Sequence, residues 1–279
     1  MKSRRNFLRL PMNLQTRRFI RSFRENLQLG TLLAFIAGIV NTVGFLQFDT
    51  YVSHISGHAT RTAVEYTEGN MPAAMVFFME TFAFIAGAFV SSFLMQGHRA
   101  TDARIKFTLP MCLEAFWLFI YLLINRFHVW SWLQIDHINL ITLILAHAMG
   151  IQNALLRHSG GAIVRTTHMT GVATDIGIEM GSAFYAARMR WKKARAESFF
   201  PLRAALHEFL KTLGISRFTF HCLLLFFFFF GAGIGSIGYL YVMGAIIYIP
   251  FLLLCLLAYK EYRRQVPIGA VDPGSKGIE

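Results

Sequence analysis

Apolar runs separated by short charged segments dominate the chain. They mark candidate membrane spans at Gly30 to Phe48, Met71 to Gln96, Phe107 to Asn125, Ile138 to Leu156, Phe218 to about Ile237 and about Tyr241 to Tyr259. A helix needs roughly 20 residues to cross hydrocarbon ~30 Å thick, and each run is near that length. The run from Phe218 to Tyr259 holds 42 residues without a charge, so it reads as two helices back to back. Two more stretches, Tyr51 to Gly69 and Ile163 to Gly181, carry His, Thr, Arg, Asp and Glu among their apolar residues. Half-polar segments cross lipid poorly. The pattern predicts an all-α, polytopic membrane helix bundle with six spans and two polar stretches that enter without crossing.

Composition agrees. The chain of 279 residues is 55% hydrophobic and only 15% charged. A water-facing domain carries about 25% charged residues, so an ordinary soluble globule is excluded. The net charge of +12 comes from 27 Lys+Arg against 15 Asp+Glu, and 23 of the 27 fall in 1–29, 97–107, 182–217 and 260–279. Six spans put those four stretches on one side, so both termini are expected to be cytoplasmic, facing an anionic inner leaflet; the alternative of eight spans, with both polar stretches crossing, moves 97–107 outside and fits the charges less well. Charge placed this way argues against a nucleic-acid module. Cys112, Cys222 and Cys255 lie in apolar runs without C-x-x-C spacing, which suggests neither a disulfide framework nor a metal site. Ser3-Arg4-Arg5-Asn6-Phe7-Leu8-Arg9 resembles a twin-arginine signal, but some twenty mostly polar residues come after it, so a retained basic arm is expected. Arg17 to Leu27 and Pro201 to Leu213 repeat apolar residues at helical spacing, as interfacial anchors or partner-docking segments do.

The chain also matches itself. Gly38-Ile39-Val40-Asn41-Thr42, His54-Ile55-Ser56-Gly57-His58-Ala59-Thr60 and Val64-Glu65 return as Gly150-Ile151-Gln152-Asn153-Ala154, His168-Met169-Thr170-Gly171-Val172-Ala173-Thr174 and Ile178-Glu179. Farther on, Gly87-x-x-x-Ser91 corresponds to Gly231-x-x-x-Gly235. The division is therefore a basic arm 1–29, a first repeat 30–125 with a hairpin at 49–69, and an outer loop 126–137. Next come a second repeat 138–259, with a hairpin at 159–181 and a basic insertion at 182–217, and then a tail 260–279. Three spans per half is an odd number, so the second half enters from the opposite side. That is a 3+3 inverted-topology repeat, a pattern typical of secondary transporters.

The strings G-I-x-N, H-[IM]-[ST]-G-x-A-T and M-G-I-Q-N-A-L-L-R resemble the YoaK family of bacterial membrane proteins, a domain of unknown function. The resemblance covers about residues 30–259 and implies a polytopic bacterial inner-membrane protein. This chain departs from the family pattern at Asn41, where Asp is frequent, and at His58, where Asn is frequent.

The repeated motif suits a re-entrant hairpin. An extended segment from Asp49 to Ser56 would reach about mid-depth at ~3.3 Å per residue. A helix starting there would present free N–H groups to an anion or carboxylate. Ser56 and Thr170 take N-cap positions, Gly57 and Gly171 allow close approach, and Thr60 and Thr174 add hydroxyls one turn on. Asn41 and Asn153, near the ends of the preceding spans, would bond substrate, hairpin backbone or a neighbouring helix. Glu80 lies well inside its span on the face of Phe84, Gly87 and Ser91, and an intramembrane carboxylate is a functional candidate. Proton coupling or a structural hydrogen bond would each account for it. Glu114 and His147 are candidates of the same kind. His54 and His58, four residues apart, have the spacing of zinc ligands on a helix, but the second copy has Val172 in place of the second His.

No cofactor or metal is expected, and the absence of nucleophile-elbow and P-loop motifs argues against an enzyme. The function expected is a secondary transporter for a small, anionic solute, coupled to protons through Glu80. The alternatives are a passive channel on the same hairpins, or a non-transporting interaction protein acting through 182–217. Small-residue faces such as Gly87/Ser91 serve either internal packing or a homo-oligomer.

Overall fold

The structure, a computed structural model, describes residues 23–97, 103–127, 137–157, 169–196 and 200–263. Most of the basic arm, much of the outer loop, His168 at the start of the second hairpin and most of the tail lie outside them. Among the described residues the chain is all helical, with no strand. The helices are α1 (Phe23–Phe48), α2 (Ile55–Thr67), α3 (Met71–Gly97), α4 (Ala103–Phe127), α5 (His137–Arg157), α6 (Met169–Ala196), α7 (Pro201–Leu213), α8 (Ile215–Val242) and α9 (Tyr248–Arg263).

Every apolar run forms a helix. Four stretches are long and apolar enough to cross a membrane: Leu27–Phe48, Met71–Gln96, Phe107–Arg126 and Arg217–Arg263. The last contains both α8 and α9. They part at Met243, whose φ is 51°, at the head of a 3-10 turn spanning Met243–Ile247. Pro250 explains the break: in an unbroken helix its ring would collide with the carbonyl of Ile246, whereas near the start of α9 it is tolerated. In α5 the apolar core is shorter, Leu140–Leu155.

α1 is the central helix. Ile36, Ala37, Gly38, Ile39, Val40 and Asn41 are buried without a break, which is more than one full turn. A helix apolar all round belongs inside a bundle. α3 is equally apolar but peripheral, and it turns Phe78, Phe82, Ile85, Phe89 and Phe93 outward. Lipid would satisfy that face.

α1 packs most extensively on α8, and α3 on α5. Glycine makes both crossings. Gly38 rests on the backbone of Phe228, Gly231 and Ala232, and Gly231 rests in turn on Phe35. Gly87 rests on the His147 carbonyl and Ile151, and Gly150 on Phe84 and Ala88. A Cβ at any of the four would collide with main-chain atoms, so only glycine lets the helices come this close. The self-match pairs Gly38 with Gly150 and Gly87 with Gly231. The fold sets each against the other pair's member.

The second hairpin differs from expectation. The polar stretch predicts a helix ending near Gly181 with a separate basic insertion, yet α6 runs unbroken to Ala196. Nothing stops it, because no proline falls within it and Gly177 and Gly181 face open space. Its distal half packs on α7, with Phe184 edge-on to Phe209 at 5.0 Å between centroids.

Candidate functional site

The site is built where α1 ends. Asp49, at φ 53°, terminates the helix and reverses the chain. Asn41 then catches the returning segment: its Oδ1 accepts from the Ser53 amide at 3.1 Å and the Ser53 hydroxyl at 2.9 Å, while its Nδ2 donates to the Ala37 carbonyl at 2.9 Å. Asn41 sits about 10 Å below Phe48 at 1.5 Å per residue. So α2 starts well below the end of α1 and runs back towards it. It stops at a C-cap in which the Asn70 amide reaches the Glu65 carbonyl at 2.8 Å and Gly69 takes φ +81°.

This placement delivers His58 to Glu80. The His58 Nε2 lies 3.2 Å from Glu80 Oε2, with the two side chains 3% and 1% exposed. The same nitrogen is 3.0 Å from the Tyr51 carbonyl and 3.4 Å from Thr50 Oγ1. The Tyr51 carbonyl can only accept, so Nε2 carries the hydrogen. Nδ1 has no partner among the described residues. Thr50 donates to Glu80 Oε2 at 3.4 Å, and Thr142 of α5 supplies a further hydrogen bond to the same carboxyl. A loop and two helices besides its own therefore meet at Glu80. A buried acid held this way feels every change in its neighbours' charge.

Above the pair lies a pocket of about 250 Å³. Thr50, Tyr51, His54, Gly57 and His58 line it together with Phe45, Asp49 and Arg61. Arg61 donates to the Asp49 carbonyl at 2.6 Å and to its carboxylate at 3.3 Å, and its guanidinium sits 4.6 Å from the Phe77 ring centroid. This ion pair is partly exposed and so contributes little to stability. An entering anion could take over Arg61 at small cost. α2 adds no acidic residue in its first turn and no side-chain cap, so its N-terminal amides stay open to a ligand.

The other expected positions are more dispersed. Ser56 is not the N-cap. α2 begins at Ile55 and is capped by His54, so Ser56 is already helical, exposed, and 3.1 Å from the His54 ring. Gly57 lies against that ring. Thr60 and Thr174 are exposed and donate back to the carbonyls of Ser56 and Thr170 at 2.9 and 2.8 Å. Thr170 is exposed and Gly171 partly so, at the start of α6. The pocket is lined by first-half residues alone, and α2 packs on α3 whereas α6 packs on α7 and α8. Asn153 is buried in α5. Glu114 is fully buried in α4, and neither carboxyl oxygen has a hydrogen-bond partner among the described residues. His147 meets the Ala83 carbonyl at 3.1 Å and the Trp117 ring edge-on, so it serves the α3–α5 crossing.

Sequence reasoning singles out Glu80 but misses its partners His58, Thr50 and Thr142. Spacing alone presents His58 as a metal ligand beside His54, not as the neighbour of an acid. The available signal is the coincidence of a polar stretch with an acid inside the next span.

Long apolar helices around a buried polar pair define a helical, multi-pass membrane-type protein. The chain belongs to the family described as "Protein of unknown function (DUF1275)", whose model matches residues 29–259 and which includes YoaK. No curated protein and no solved structure matches it.

Proposed function

We propose that this protein is a proton-coupled secondary transporter for a small anionic solute, working in the bacterial inner membrane with both termini cytoplasmic. The observation that carries the reading is the buried His58–Glu80 pair, whose imidazole lines a pocket that Arg61 also lines. The solute's negative group would exchange with Asp49 for Arg61 and the open amides of α2. The proton would be held on the Glu80 carboxyl, whose Oε2 accepts from the His58 Nε2–H. Adding or removing one proton changes the net buried charge, and that charge decides which packing arrangement is tolerated.

The 3+3 inverted repeat is part of this proposal, and a parity argument supports it. Gln47 near the end of α1 accepts from the Tyr121 hydroxyl at 2.5 Å and donates to Asn125 at 3.3 Å, both near the end of α4. Gly244, just past the end of α8, rests on the same three side chains. Three C-terminal ends thus share one membrane side. Between the ends of α1 and α4 the chain passes through α2, α3 and α4. If α3 and α4 cross and the ends still meet, α2 does not cross. If α5 and α8 also cross, the same count has α6 return to the side it came from. The matched glycine crossings agree with two halves related by a pseudo-two-fold axis.

α7 is read as a contact with the anionic inner leaflet. Leu202, Leu206 and Leu210 form an exposed apolar stripe beside Arg203 and Lys211, while Ala205 and Leu213 are buried.

The test is a solute screen in proteoliposomes under an inward proton gradient. Wild-type protein is expected to accumulate one class of small anion, and Glu80→Gln to lower gradient-driven uptake by about tenfold or more, equivalent to about 1.4 kcal/mol or more. Arg61→Gln should raise the half-saturating concentration instead. A complete screen without flux removes the reading.

A further inference from the structure

The His58–Glu80 pair has a counterpart in the second half. His221 of α8 places Nδ1 3.4 Å from Glu179 Oε2 of α6, with the side chains 6% and 17% exposed. α6 and α8 stand in the second half where α2 and α3 stand in the first: the motif helix and the apolar helix after it. The chemistry is exchanged between them. In the first half the motif helix carries the imidazole and the apolar helix the carboxyl; in the second the motif helix carries the carboxyl. The positions do not align, since Glu179 matches Glu65 and Glu80 matches Leu224. The same interface therefore holds the same pair of groups through different residues.

The two pairs lie at different depths along α1. Asn41 holds the turn beside the outer pair, whereas Gly30 packs on Phe220, the neighbour of His221. Gly30 and Asn41 are separated by about 16 Å at 1.5 Å per residue. The outer pair is almost wholly buried, while the Glu179 side chain of the inner pair keeps an exposed edge. Beyond α8 towards its N-terminus lie the basic residues of α6 and α7, on the side assigned to the cytoplasm.

We infer that Glu179 and His221 form a second proton-exchange site, opening to the cytoplasmic side, through which a proton carried inward is given up. The inference rests on the transport reading for its role in a cycle, though not for its chemistry. A proton is held between Glu179 Oε2 and His221 Nδ1 and leaves to water at the exposed edge of the carboxyl. Only O–H and N–H bonds change. Other titratable groups nearby are Cys222 on α8, which interacts with Glu179, and Asp175 one turn earlier on α6. α7, packed on α6 and touching α8, carries Arg203, His207, Glu208 and Lys211. α1 brings Gln28 and Thr31 to this level, and neither titrates.

The experiment uses the full chain in lipid nanodiscs with 15N-labelled histidine rings, the His221 signal being assigned by His221→Gln. Glu179→Gln keeps a hydrogen-bonding side chain but removes the charge, and is expected to move the His221 ring signals and their midpoint away from the wild-type ones. Glu179→Asp, which keeps the charge on a shorter arm, gives a second readout should the Gln variant fail to fold. In proteoliposomes, wild-type uptake should fall about tenfold when the lumen is acidified by one unit below the midpoint, and Glu179→Gln should lose that response while keeping its dependence on external pH. Protein that moves no solute but whose His221 still answers to Glu179 would remove the transport reading and keep this site. A His221 midpoint indifferent to both substitutions overturns the site, whether or not solute moves.

Discussion

α2 and α6 start from matching strings of residues and become different elements. α2 is 13 residues long and is pinned at both ends, by Asn41 below and by the Gly69 cap above. α6 is 28 residues long and continues into the basic segment, where α7 covers it. The shared motif sets the local face of each helix. The residues immediately C-terminal to the motif set the helix length. Glu68-Gly69-Asn70-Met71-Pro72 supplies a left-handed glycine, then a proline suited to a new first turn. Met180-Gly181-Ser182-Ala183-Phe184 supplies no stop, and a lone glycine inside a helix costs only about 1 kcal/mol.

The contrast yields substitutions with graded effects, each read by reversible unfolding in mixed micelles. His58→Leu takes from the buried Glu80 the hydrogen bond of its imidazole and should cost about 3 kcal/mol; a loss below about 1 kcal/mol would mean that the pair is not formed. Gly181→Pro should cost about 3 kcal/mol and detach α7, because it cuts a continuous helix; if α6 ended at residue 181, where the polar stretch stops, the cost would be near zero. Asn41→Ala leaves the Ser53 amide and hydroxyl without their acceptor and should cost about 2 kcal/mol, with faster amide exchange confined to residues 50–58. Gly177→Ala faces open space and should stabilise α6 by about 0.5–1 kcal/mol without touching the outer pair. Destabilisation there would mean that another surface covers α6.

Much of the fold is legible in the sequence. The apolar runs locate α1, α3, α4, α5, α8 and α9, because lipid-facing and core-facing helices both need sustained hydrophobicity and that property is local, whereas the length of the half-polar α6 is not legible this way. The repeat is legible for a similar reason, since matched strings can be compared without coordinates. The site is only half legible. Glu80 stands out as a carboxyl where hydrocarbon belongs, but nothing in one dimension ties it to His58 or Thr142. Ser56 and Thr170 are expected at helix starts because serine and threonine cap well. His54 takes that place in α2 since the turn closed by Asn41 ends earlier than the composition suggests.

The sequence by itself determined the class of protein, the positions of its apolar helices, its internal duplication and the presence of an acid inside a span. Tertiary structure alone decided that Gly38 meets Gly231 rather than a neighbour in its own half, that Glu80 meets an imidazole, and that Glu179 meets another. Hydrophobic length and helix-stopping residues act over one or two turns and are written in the local order of side chains. Which helices cross, and which polar groups then share a dry interface, depends on packing across the whole bundle, where one missing Cβ decides how close two backbones come.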